Sequence, residues 1–317
     1  MSAPTLAAPV QQPAPAAPSA RARSGTSHPG ESRAAWILAI PFTLLFLAFT
    51  VWPVIQSLFM SFTDTRQRDL RSPFSVNFIG LANYGRALSD PVFQKAAANT
   101  AYFVLVGVPL TLAVGLLAAV ALDKGITRLR SVYRLGFYTP VITSIVAVAV
   151  VWRFILQPDS GLLNTVLSWF GIQGPNWLGD VRWSMPSLIL MAVWRNFGTG
   201  MIIFLAGLQG VPYSLQEAAA IDGANGWQRF WNITFPLLRP TLLFVSVTTA
   251  VGYLQFFEEP FVMTSGGPLN STISLSMYTY NQFGYGNYGL AAAMSYLIFV
   301  VIAVVTAIQF RLLRENT

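Results

Sequence analysis

From residue 34 onward the chain consists of long charge-free apolar runs separated by short polar connections. Residues 34–63 contain no Asp, Glu, Lys or Arg, and their apolar part runs to about Phe59. Further runs cover 96–122, 135–152, 183–208, 240–257 and 290–310, the fourth interrupted by Arg195. A helix needs about 20 mostly apolar residues to cross a bilayer. Lipid offers no partner to an open backbone N–H or C=O, so each run predicts a helix rather than a strand. The most economical arrangement is six transmembrane helices, an all-α polytopic membrane fold over 34–317. Pro41, Pro53, Pro109 and Pro140 are predicted to kink their helices. Gly115 and Ala119, four apart, form a small face that lets another helix approach closely. Such pairs are common in membrane helices and say nothing about function.

The first 33 residues differ in kind, being rich in Ala, Pro and Ser, with Pro4, Pro9, Pro13, Pro15, Pro18 and Pro29. That composition buries no core and predicts a disordered tail, and it lacks the continuous apolar segment of a signal peptide. Over all 317 residues, 54% are apolar and 10% charged, with a mean hydropathy of +0.54. A soluble domain carries about 25% charged residues, so a water-soluble globule is excluded. There is no cysteine, which removes disulfides, thiolate metal sites and cysteine nucleophiles, and the single histidine, His28, lies in the tail. The net charge of +7 points to cytoplasmic anchoring and not to nucleic acid. With the N-terminus inside, the inner segments hold Arg21, Arg23, Arg33, Lys124, Arg128, Arg130, Arg134, Arg229, Arg239, Arg311 and Arg314. The outer ones hold Arg66, Arg68, Arg71, Arg86, Lys95 and Arg182. The excess of basic residues inside predicts cytoplasmic N- and C-termini.

The loop between spans four and five, 210–236, is the most informative segment. Ser214 and Glu217 have the spacing of a capping box, in which hydroxyl and carboxylate each bond the other residue's backbone amide. A short Ala-rich helix over 215–221 follows, and Gly223 suits the left-handed position that ends it. A second short helix, rich in aromatics, is expected from about Trp227 until Pro236 breaks it. Two short helices at a sharp angle, with small Ala faces and exposed aromatics, form a knob suited to a groove on a partner. Pattern alone equally allows Glu217 to cap a plain surface helix, with Trp227, Phe230 and Trp231 in the headgroup layer.

The same segment resembles the EAA loop of the membrane subunits of binding-protein-dependent ABC importers. Glu217, Ala218, Ala219, Gly223, Ile233 and Pro236 fall in register with that family's pattern, and Phe235 stands where it has Leu. The extended form through Asp222, with Trp227, Phe230 and 236–240, is similar to the carbohydrate branch related to the maltose permease. So are 78–84, Tyr133-Arg134 with Pro140, Trp152, 161–164, 264–268 and 288–295, although the maltose permease's large periplasmic insertion is absent. The resemblance implies a compact six-span relative of the type I importers. In it, Glu217, Ala218, Ala219, Asp222, Gly223, Ile233 and Pro236 form the coupling helix seated in a cytoplasmic ATPase. It also implies a second permease subunit in a heterodimer, two ATP-binding subunits or domains, an extracellular solute-binding protein, a sugar substrate, and a bacterial cytoplasmic (inner) membrane. No nucleic acid is implied.

Arg195 lies about twelve residues into span four, roughly 18 Å at 1.5 Å per residue, near mid-bilayer. A cation there must face a polar cavity or a partner, and pairing with Glu258 or with the second permease is the structural alternative. Arg153 ends span three and is expected to snorkel outward. Thr249, Tyr253 and Phe256, at i, i+4 and i+7, are expected on one helix face, with Gln255, Glu258 and Glu259 at its outer end. Aromatic faces with amide and carboxylate groups suit a sugar, and aromatics at this spacing also suit plain packing. The resemblance to the maltose permease points to Arg195, Asn196, Thr249, Tyr253 and Phe256 as sugar contacts. Arg195 and Tyr253 do not reproduce that permease's residues, so the sugar's identity stays open.

No Gly-x-x-x-x-Gly-Lys-Ser/Thr occurs, so nucleotide phosphates have no P-loop here. The chain is read as a non-catalytic transport subunit without a cofactor of its own, ATP and Mg being expected on the partner ATPase. Two alternatives remain: import of glycerol 3-phosphate or a related phosphoester through Arg195, and an ion-coupled secondary transporter using Arg195 and Glu258/Glu259 as a relay.

Overall fold

The computed structural model describes residues 29–71, 76–125 and 128–313. In chain order its helices are α1 (Pro29–Phe46), α2 (Trp52–Ser61), α3 (Ala82–Ser89), α4 (Pro91–Val120), α5 (Arg130–Ile142), α6 (Ile145–Ile155), α7 (Leu162–Trp169) and α8 (Ser184–Gln209). They continue with α9 (Tyr213–Ile221), α10 (Gly226–Arg229), α11 (Phe235–Leu237), α12 (Arg239–Leu254), α13 (Glu258–Met263), α14 (Leu275–Gly284) and α15 (Tyr288–Leu313). Among the described residues the only β-pairing is an isolated bridge between Thr63 and Phe78. The stretch to Pro53 and the body from Val54 onward form two compact units. In the first, α1 runs through Pro41 and widens into a π-turn at Leu47–Val51. Helix α1 starts at Pro29, inside the segment expected as a tail; proline suits a first helical position, where no N–H is needed. The rest of that expectation, including His28, lies outside the described residues.

Four helical stretches are long and apolar enough to cross a membrane: Ile37–Ser61, Pro91–Gly125, Ser184–Gln209 and Tyr288–Leu312. Two bent pairs, Arg130–Ile142 with Ile145–Ile155 and Gly226–Leu237 with Arg239–Leu254, bring the number to six when each pair is one span. The first pair turns through 99° at Thr143 and Ser144, three residues beyond the proline expected to kink it. Pro140 fits inside α5, and the turn comes where Thr143 and Ser144 adopt extended backbone. Pro109 interrupts nothing: α4 runs through it.

The body is organised on α4, α8 and α12. Gly107 lies against Ile189 and Tyr253, and Gly115 against Phe197 and Met201, so α4 and α8 run parallel. Gly200 meets Val245 and Gly207 meets Leu238 and Thr241, so α12 runs antiparallel to both. A β-carbon on Gly115 would stand 3.1 Å from the Phe197 carbonyl oxygen, and one on Gly198 only 2.4 Å from that of Phe137 in α5. Between helices in lipid the apolar driving force of water is missing, and close backbone contact of this kind supplies the attraction. Phe103, Leu188, Met191, Met201 and Phe204 are fully buried there, while Leu105, Leu117, Phe154 and Phe299 face outward as lipid contacts would.

At the end where α4 begins, polar bonds tie down the connections. The Asp90 carboxylate accepts from the amides of Val92 and Phe93, capping α4, and from the Tyr278 hydroxyl at 2.5 Å. Asn99 donates to the carbonyls of Asn270 and Ile273, and Ser184 shares a hydrogen bond with Ser271. Nearby, Asp64 accepts from the backbone and side chain of Asn77 at 2.7 and 3.0 Å. These bonds hold its carboxyl below the usual aspartate range.

Candidate functional site: a coupling knob and a polar cavity

The 210–236 loop folds into the two-helix knob that its residue pattern suggests, with a different cap. Helix α9 starts at Tyr213, directly after Pro212, and no side chain caps it. Ser214 therefore sits one residue inside the helix and not at its boundary, so the expected Ser214–Glu217 box does not form. The capping box belongs instead to α10: Asn225 Oδ1 accepts from the Gln228 amide, and the Gln228 side chain accepts from the Asn225 amide, both at 2.9 Å. At the other end of α9, Gly223 has φ +82°. The Ala224 amide bonds the Ala219 carbonyl at 2.9 Å and the Gly223 amide bonds that of Ala220 at 3.1 Å. This double bond pattern with a left-handed glycine is the Schellman stop.

After α10 a π-turn, Phe230–Thr234, leads into α11 and then a 67° bend into α12. Pro236 does not break the second helix, because it stands at the start of α11, where a missing N–H costs little. The bend falls at Leu238, which is buried in the body. The side-chain amide of Gln216 donates to Thr234 Oγ1 at 3.1 Å, and the Trp231 ring contacts those of Trp227, Phe230 and Phe235. These contacts brace the knob from within. Its outer face is uncovered and carries large apolar side chains: Ile221 is 87% exposed, Tyr213 74% and Trp227 72%. Glu217, Ala218, Asp222 and Gly223 are exposed on it, and Ala219, Ile233 and Pro236 are half-buried.

The other candidate residues converge on one cavity of about 300 Å³ between α6, α8 and the α12–α13 junction. Arg195, Asn196, Thr249, Tyr253, Gln255, Phe256 and Glu258 all line it, with Thr199, Thr248 and Glu259. Its size is at the lower end of the range for ligand cavities. Arg195 makes no ion pair with Glu258. Its Nη1 donates to Asn196 Oδ1 at 3.3 Å, while its buried Nε has no partner. Phe256 does not continue the helix face expected for it, since α12 ends at Leu254. The ring still reaches the cavity wall, stacked on Phe103 at 3.9 Å with the planes 5° apart. Tyr253 packs against the same ring, and its hydroxyl bonds Thr111 Oγ1 at 2.8 Å. Thr111 donates its own hydrogen to the Gly107 carbonyl, so Tyr253 is the donor in that bond.

Two features were not legible in the sequence: the part played by Thr111, and which of Glu258 and Glu259 is buried. Thr111, on α4, is a partner that only packing reveals. Glu259 is buried to 5% exposure, with Oε2 lacking any hydrogen-bond partner, whereas Glu258 beside it is exposed. Nothing in two adjacent glutamates says which one turns inward. Arg153 is exposed as expected, with a long contact from Nη1 to the Val262 carbonyl at 3.4 Å.

Residues 107–315, which contain the knob and the cavity-lining helices α8 and α12, match the family described as binding-protein-dependent transport system inner membrane component. The chain is 35% identical to the lactose transport system permease protein LacF of Rhizobium radiobacter, over 89% of this chain and 94% of that one. It is 34% identical to the arabinooligosaccharides transport system permease protein AraP of Bacillus subtilis, over 93% and 94%. Its fold is similar to a chain in the crystal structure of a bacterial alginate ABC transporter in complex with an alginate pentasaccharide-bound periplasmic protein. There the TM-score is 0.77 at 23% identity, covering 90% of this chain and 95% of that one. The chain belongs to the inner-membrane components of binding-protein-dependent transport systems.

Proposed function

We propose that this chain is one of two membrane-spanning subunits of an ATP-driven importer that moves a sugar of di- or oligosaccharide size across the bacterial cytoplasmic membrane. Both termini and the α9–α11 knob face the cytoplasm in this reading, which the excess of basic residues on that side supports. ATP-binding subunits, with their ATP and Mg, dock on the knob. A binding protein delivers the sugar at the opposite end.

The observation that carries this reading is the knob: a braced, helix-stopped element that exposes large apolar side chains beside Glu217 and Asp222. An uncovered face holding Tyr213, Ile221 and Trp227 fits a cleft on a partner. Since Leu238 anchors the knob to α12 in the packed body, a push on α9 is transmitted to α12 and the cavity wall as a rigid movement. The cavity supplies the rest: aromatic rings, an amide and buried charges around a space for part of a sugar, in line with relatives named for lactose and arabinooligosaccharides. Arg195, with its unpartnered Nε, favours a second reading in which the cargo is a phosphoester, because a guanidinium forks onto phosphate.

The test is reconstitution of the chain with its companion subunits in vesicles. Uptake that needs ATP and the binding protein supports the reading. Uptake by this chain alone under an ion gradient would refute it.

A further inference from the structure

In a packed protein, buried polar atoms find partners, and those that do not are unusual enough to need a reason. Among the described residues four buried side-chain atoms lack one, and two of these, Arg195 Nε and Glu259 Oε2, belong to residues lining the same cavity. They come from different elements, α8 and α13, and do not pair with each other although their charges are opposite. Both line the same cavity, and Asn196 and Gln255 add amides to its wall. A ligand entering this space must therefore give Arg195 an acceptor and Glu259 a donor.

We propose that Glu259 is a specificity-determining residue, which with Arg195 selects a neutral ligand whose hydroxyl groups both donate and accept, against one that offers only anionic oxygens. This deepens the reading of the cavity as a sugar passage and rests on it. A sugar hydroxyl accepts from the guanidinium and another donates to the carboxylate, so both buried atoms are satisfied at once. A phosphate or carboxylate satisfies Arg195 alone. Beside an ionised Glu259 it adds a like charge across a poorly screened space, and Glu259 can meet it as a donor only after taking up a proton, so binding an anion carries the cost of that proton uptake. Arg195 by itself suggests an anionic cargo; the buried acid facing the same space reverses that preference.

The experiment measures binding of radiolabelled probes to the detergent-solubilised complete transporter without its binding protein, so that selectivity comes from the membrane subunits. The probes are lactose and maltose, with lactobionate and maltobionate as acid counterparts, plus glycerol 3-phosphate. In the wild type a neutral probe should bind at least tenfold tighter than its acid. Glu259→Gln keeps an acceptor but removes the charge. Affinity for the neutral probe should stay within about threefold, while the preference over the acid falls about tenfold or more. Glu259→Leu removes the acceptor and should weaken the neutral probe at least tenfold. An unchanged preference in Glu259→Gln, equal loss of every probe in both variants, or an anionic probe bound tightest by the wild type would overturn the proposal. Thr249→Trp, which fills the cavity, separates the two levels. If no probe binds the wild type, or Thr249→Trp leaves binding intact, the sugar passage itself is refuted and the role of Glu259 with it.

Discussion

Gly223 is where backbone geometry and the proposed coupling meet most directly. Its φ of +82° is open to glycine and costs other residues about 1–2 kcal/mol. A β-carbon at this position would find nothing within 4 Å, so substitution costs arise from the backbone and not from collision. The variants should therefore order themselves by tolerance of the left-handed region. Gly223→Asn should be close to wild type, because asparagine visits that region readily. Gly223→Ala should lose about 1 kcal/mol of turn stability, a factor of about five in the population of the formed knob. Gly223→Pro fixes φ near −65° and removes the N–H that bonds the Ala220 carbonyl, a cost of about 3 kcal/mol or more and over a hundredfold in population. The assay is ATP hydrolysis stimulated by the loaded binding protein in reconstituted vesicles, with membrane insertion measured alongside. Insertion should be unchanged throughout, and stimulation should fall in the order Asn, Ala, Pro, being abolished in the last. Full stimulation in Gly223→Pro, or Asn as damaging as Pro, would refute the reasoning.

Asn225→Ala deletes the α10 capping box and should cost about 1 kcal/mol, seen as earlier thermal loss of stimulated hydrolysis with normal activity in the cold. Gly198→Val places a branched side chain where even a β-carbon lies 2.4 Å from the Phe137 carbonyl; it should destabilise the α5–α8 contact by about 3 kcal/mol and lower the melting temperature in detergent. Tyr253→Phe leaves the ring on Phe103 and removes one buried hydrogen bond to Thr111, for about 1 kcal/mol of stability, so substrate binding should change less than in Glu259→Leu. The Asp64 carboxyl, held low by Asn77, stabilises its loop above the ordinary aspartate value of about 3.9. That contribution is lost as pH falls through the lowered folded value. Hydrogen exchange of residues 62–69 and 77–79, corrected for intrinsic rate, should show protection lost at lower pH in the wild type than in Asn77→Ala.

Most of the architecture was legible because lipid removes alternatives. Charge-free runs must be helices there, and the fourth run, read as 183–208, is α8 at 184–209. What periodicity could not show was where a span bends. Pro140 is the obvious breaker, yet the chain turns at Thr143 and Ser144, since proline inside a membrane helix is tolerated when its neighbours satisfy the freed carbonyl. The knob shows the same limit. Ser-x-x-Glu and Asn-x-x-Gln are both valid capping signals eleven residues apart, and only the start of α9 at Tyr213 decides between them. In the cavity, the polar and aromatic candidates were visible as residue types at suggestive depths. Phe256 shows that sharing a site does not require sharing a helix: it lines the wall from beyond the end of α12. Glu259 could not be told from Glu258, because the turn at the start of α13 decides which carboxylate goes inward.

The absence of natural cysteine allows one decisive measurement. Ile221→Cys places a single thiol on the most exposed apolar side chain of the knob, and Leu269→Cys, equally exposed, serves as a control outside it. Each is treated with a short bifunctional thiol reagent in the assembled transporter, with and without ATP. The account predicts that position 221 crosslinks to an ATP-binding subunit, that the yield changes with nucleotide, and that position 269 does not react with that subunit. No adduct at 221 in a transporter that still imports would contradict it.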